Sequence, residues 1–257
     1  MKRGRMRALR SVVGLCAVLA LGSFATTASA DPFSGPPICS SAGQSLSGTH
    51  SNLTIWGNAY VAGGNTLTVH GRLRLARGAC LDAFTLGTVN VGGNLVVDRG
   101  ATLGLGCTPQ SIGPVPPCGT STTDDTVGGS IVAHHPLTMY LDGDHIGGSV
   151  VSHGGGPGLH GTFLNFPVKD NTIGGNLVVR GWRGGWSGAL RNIVGGDLVF
   201  SDNKSVQDPD SNEVVTNTIG GNLICRGNSP AVQVGDSGGL PNVVGGHRIG
   251  QCRAPGI

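Results

Sequence analysis

The chain has 257 residues, with 17 basic and 14 acidic side chains, 47 glycines and 7 cysteines. Five of the basic residues fall in the first ten positions, so the rest of the chain carries twelve positive against fourteen negative charges and offers no basic stripe to hold nucleic acid. Six Phe, three Trp and two Tyr are too few to build the interior from rings, which leaves it to small aliphatic side chains.

In chain order, residues 1–30 read as a secretory signal peptide. Lys2, Arg3, Arg5, Arg7 and Arg10 form a basic opening, residues 12–21 an apolar run, and Ala28, Ser29 and Ala30 a small-residue cleavage site. Leu15 before Cys16 does not suit a lipoprotein signal, and no later apolar run is long enough for a transmembrane helix. The expected mature protein is exported, either secreted or associated with the cell envelope. Residues 31–50, with Pro32, Pro36, Pro37 and Cys39, read as an N-terminal cap.

From residue 51 the chain repeats itself. The segments VNVGGNLVV (89–97), DTVGGSIVA (125–133), DHIGGSVVS (144–152), NTIGGNLVV (171–179), NIVGGDLVF (192–200), NTIGGNLIC (217–225) and a degraded NVVGGHRIG (242–250) share one template. Within it Ile173, Leu177 and Val179 have one parity, as do Val194, Leu198 and Phe200, and Val91, Leu95 and Val97, so one face of an extended segment is apolar. Asn94, Ser130, Ser149, Asn176, Asp197 and Asn222 follow the glycine pairs, marking a bend that admits positive φ. The shortest interval, Gly128 to Gly147, is too small for a strand, a crossover helix and two loops, which together need about 30 residues. It holds one coil of short strands.

Stacked coils with their aliphatics in a common interior make an all-β, right-handed parallel β-helix of about eight coils, spanning 51–241, with 242–257 as a C-terminal cap. The residues between templates are expected to be loops leaving from one side. Six cysteines remain after the signal peptide, and in an exported chain they favour disulfides. Neighbour pairing of Cys39 with Cys80, Cys107 with Cys118 and Cys225 with Cys252 staples both ends. No Cys-x2-4-Cys spacing supports zinc.

The IGGNLVV strings resemble bactofilin-type polymer-forming β-helices, and GGNLICRGNSP with NVVGGHRIGQC resembles a group of uncharacterised exported actinomycete proteins. Both resemblances imply the solenoid fold. Neither supplies catalytic residues, and the signal peptide and cysteines depart from the cytoplasmic, disulfide-free bactofilins.

Four features invite chemistry. GDSGG at 235–239 spells a chymotrypsin-like nucleophile motif around Ser237, but no histidine lies between the IVGG at 193–196 and that serine, so the triad order is not met. His134, His135, His145, His153 and His160 cluster with Asp142 and Asp144 without a metal-ligand spacing. The pairs Asp124 with Asp125, Asp142 with Asp144 and Asp208 with Asp210 suggest a polysaccharide lyase or hydrolase only through the fold. The segment RGWRGGWSGALR (180–191) places Trp182 and Trp186 beside Arg180 and Arg183, a combination able to stack on a sugar or hold an anionic glycan. The resulting expectation is a non-enzymatic structural or surface-associated protein without cofactor, metal or catalytic residues. Its partners are an extracellular or cell-wall glycan, another protein or copies of itself.

Overall fold

The computed structural model describes residues 38–39, 43–84, 87–109, 122–160, 164–234 and 239–257. The expected signal peptide, half of the N-terminal cap, Cys118 and Ser237 lie outside them. Every strand pairing among the described residues is parallel, and three long sheets result: sheet A with eight strands, sheets B and C with nine each. A coil visits them in turn, as in Thr172–Ile173 on sheet B, Leu177–Arg180 on sheet C and Trp186–Leu190 on sheet A. The chain is thus a parallel β-solenoid of about eight turns.

The template parity fixes the core. Leu73, Leu95, Ile131, Val150, Leu177, Leu198 and Leu223 are in register down sheet C and all are fully buried. Val91, Val127, Ile146, Ile173, Val194 and Ile219 do the same down sheet B. The branched aliphatics fill one lumen. Ser152 takes a place filled by an aliphatic in its neighbours, and its buried hydroxyl finds no partner among the described residues.

The glycine pairs act differently from the expectation. None of them from Gly92–Gly93 to Gly245–Gly246 has a left-handed φ; the requirement is space. A Cβ on Gly195 would lie 2.3 Å from the carbonyl oxygen of Gly174 one coil earlier, and one on Gly196 would lie 2.1 Å from Asn176 Oδ1. Backbones stack too closely at the corner between sheets B and C for any side chain. Left-handed residues occur at the other two corners instead: Gly100, His135, Gly154, Gly181, Asp202 and Gly227 after sheet C, and Gly143, Asp170, Arg191 and Thr216 after sheet A.

Side-chain ladders hold the corners. Asn171, Asn192, Asn217 and Asn242 are buried after sheet A, each amide reaching the next Oδ1: Asn171 Nδ2 to Asn192 at 2.9 Å, Asn192 to Asn217 at 3.0 Å and Asn217 to Asn242 at 2.8 Å. The same carboxamides also donate to carbonyls of the preceding coil, so backbone groups at the bend are satisfied. Asn203, Asn228 and Gln251 form a second ladder after sheet C. At the glycine corner, Asn94, Ser130, Ser149, Asn176, Asp197 and Asn222 each accept the backbone N–H of their counterpart one coil later.

The segments between templates, which the sequence suggested were loops, contain the strands of sheet A. Disulfides join Cys39 to Cys80 (Cα–Cα 5.6 Å) and Cys225 to Cys252 (5.2 Å), tying the first and last coils. Cys107 is disulfide-bonded as well. Among the described residues no helix is long and apolar enough to cross a membrane.

Candidate functional site

The RGWRGGWSGALR segment is folded into the wall. Trp182 is fully buried, tilted against Phe166 at 5.6 Å between centroids, and its indole N–H donates to the Leu137 carbonyl at 3.3 Å. Trp186 lies across Gly188 on the outer side of sheet A, covered with Leu190, Val215 and Val234, and its N–H donates to Glu213 Oε1 at 3.0 Å. Lys169, itself buried, sits 5.9 Å from that ring, and burial lowers its pKa to about 8 against the opposing pull of Asp142. Neither indole therefore offers a face to a sugar. Arg180 and Arg183 are exposed; Arg180 donates to Ser201 Oγ at 3.0 Å.

The acidic residues of the central coils converge inside the wall. Asp125 accepts N–H groups from Val89 (2.8 Å) and Gly106 (3.0 Å), and burial raises its pKa to about 7. Asp144 heads the asparagine ladder, with its backbone N–H donating to Asn171 Oδ1 at 2.9 Å. Its carboxylate oxygens meet no hydrogen-bond donor among the described residues. Burial first, then Asp125 and Asp142, push its pKa well above the carboxylate range. Asp142 accepts the Thr108 hydroxyl at 2.9 Å. Among the described residues no three His, Cys, Asp or Glu side chains are arranged to hold a metal. The histidines separate: His134 and His153 pair in register on sheet C, while His145 is on sheet B.

Two solvent-facing features run along the solenoid instead, and sequence reasoning missed both. The first is a groove of about 520 Å³ beside the glycine corner. Its floor is the bare backbone of Gly92, Gly128, Gly147 and Gly174, and one wall is the outward column Thr68, Asn90, Thr126, His145, Thr172, joined by His70. Five coils at about 4.8 Å give it a length of about 19 Å. It exists because the corner excludes side chains, while the residue before each inward Val or Ile points out. Thr126 Oγ1 donates to Asn90 Oδ1 at 2.8 Å, which fixes part of that wall.

The second is on sheet C. Val96, Val132, Val151, Val178, Val199, Ile224 and Ile249 stand in register between inward residues, so seven consecutive coils turn an aliphatic side chain outward, and all seven are half-buried. The polar corner ladder runs along one edge. Along the other run Asp98, His134, His153, Arg180, Ser201 and Arg226, of which both histidines and both arginines are exposed. The signal lay in the template, where the middle letter of LVV, IVA and LIC has outward parity.

No protein-family model, no curated protein and no solved structure matches the chain.

Proposed function

We propose that this chain is an exported, non-enzymatic β-solenoid that acts as a surface-associated structural rod and holds an extended extracellular glycan along the glycine groove. The observation that carries the reading is the groove's continuity: five consecutive coils line one open depression, with hydroxyl, amide and imidazole groups on its wall and an apolar floor. Sugar chains present both hydroxyls and C–H faces, and concave sites with a few placed polar groups on apolar surface suit them. The lining includes no carboxylate, and Asp125, Asp142 and Asp144 are buried. That favours holding over cleavage, since glycoside hydrolysis uses two carboxyl groups flanking the bond. The disulfides at both ends favour an oxidising compartment.

The test is retention of the secreted protein on insoluble peptidoglycan, chitin and cellulose, compared with Thr126→Arg and Thr172→Arg, which fill the groove from outward positions. Retention by wild type and at least tenfold loss in both variants is expected. Absence of retention on all three matrices, or retention unchanged by the arginines, overturns the reading.

A further inference from the structure

We propose that the open face of sheet C is a self-association surface on which two copies pack face to face with their solenoid axes parallel. The row from Val96 to Ile249 is the starting point. A solvated sheet face ordinarily alternates apolar inward with polar outward residues, whereas here the outward centre stays aliphatic for seven coils. The seven aliphatic rungs at about 4.8 Å span about 29 Å, and five residues across at about 3.3 Å give about 16 Å. The footprint of about 460 Å² per copy, doubled to about 900 Å², falls in the class of weak, reversible protein contacts below about 1,200 Å², which suits association in the micromolar range. Such a contact resembles the aligned packing of two sheets about 10 Å apart.

Charge selects the occupant and its orientation. A two-fold axis parallel to the solenoid brings the polar corner ladder of one copy opposite the cationic edge of the other at the same level. Ser130 then faces His134, Ser149 faces His153, Asn176 faces Arg180 and Asn222 faces Arg226, and along the seven aliphatic coils no like charges oppose; the contact stops short of the preceding coil, where Arg74 would meet its own counterpart. Arg180 also comes one coil away from the second copy's Asp197. A two-fold axis across the solenoid instead sets the Arg180 and Arg226 edge against itself, which is unfavourable when water is excluded between the faces. A second copy is thus apolar where the row is apolar and acidic or neutral where the edge is basic. The reading is independent of the groove, which lies around the corner on sheet B.

The experiment is analytical ultracentrifugation of the secreted protein from about 1 to 100 μM, with thermal unfolding of every variant alongside. A dimer is expected. The pair Val151→Lys with Val178→Lys should weaken it at least 100-fold. The triple Val151→Thr, Val178→Thr, Val199→Thr keeps β-branched shape and strand propensity, and should weaken it about tenfold even if the lysines unsettle the fold. Arg180→Glu should weaken it severalfold through the partner copy's Asp197. A monomer at 100 μM, a dimer indifferent to both valine sets, or end-to-end filaments that persist in them overturns the proposal, and tightening by Arg180→Glu overturns the parallel orientation. Thr172→Arg should leave the dimer intact, so loss of glycan retention and loss of dimerisation are read separately.

Discussion

Replacing Asp144 with asparagine completes the buried ladder of Asn171, Asn192, Asn217 and Asn242, which in the natural chain begins with a carboxylate. Asp144 is 1% exposed, and its carboxylate oxygens have no donor among the described residues. Asp125 beyond it has its pKa raised from 3.8 to about 7, by burial first. The folded state therefore keeps protons that the unfolded chain releases, so the two carboxyls cost stability as pH rises from about 4, Asp125 through about 7 and Asp144 still further. In Asp144→Asn one buried carboxyl no longer ionises and its repulsion of Asp125 disappears. The new carboxamide can donate to Asn171 Oδ1, as Asn171 does to Asn192, for about 1 kcal/mol. The variant is expected to be more stable than wild type by about 3 kcal/mol at pH 8 and by only about 1 kcal/mol at pH 4, where the carboxyl is already neutral. At about 2 to 4 °C per kcal/mol, Tm at pH 8 rises by about 6 to 12 °C. Calorimetry of both proteins at pH 4, 6 and 8 measures this. A difference that does not grow with pH, or a loss of stability at pH 8, refutes the reasoning.

The steric account of the glycine corner makes a paired prediction. Gly195→Ala, with its new Cβ 2.3 Å from the Gly174 carbonyl, should cost about 3 kcal/mol or more, while Gly57→Ala, which has open space and no left-handed φ, should change stability by less than about 0.5 kcal/mol. Comparable Tm losses in the two would remove that account. Trp182→Ala empties a fully buried site and should cost about 3 to 5 kcal/mol while leaving glycan retention of the folded fraction unchanged. An unaltered Tm would return the indole to the surface.

What could be read from the sequence follows from where the alternation is visible. On sheets B and C each strand has one face in the lumen, so the parity of Ile173, Leu177 and Val179 located the core and, through it, the coil. Sheet A left no such trace. Trp186–Leu190 is buried at every position and Asn165–Lys169 at all but its first, because Trp186, Phe84 and Ile38 cover parts of the outer face, and a strand covered on both sides loses its period of two. Its segments therefore read as loops, and Trp182 and Trp186 as loop residues able to stack on a sugar. The glycine pairs were legible as corners but not as close approaches, since sequence does not tell a glycine needed for φ from one needed for space. Both outward columns were present in the parity that located the core, but parity alone does not tell an outward aliphatic on an open face from one covered by a neighbouring segment.

The ladders described above have a further consequence for length. Each of their bonds joins a residue to its own equivalent one rung along, across as few as 19 residues between Ser130 and Ser149 and 21 between Asn171 and Asn192. A chain with one rung more or fewer would close the same bonds with the same neighbours. Reach is therefore counted in whole units of about 4.8 Å, so that tandem duplication of a segment lengthens channel and valine row together, as on a ruler whose divisions are cut by asparagine.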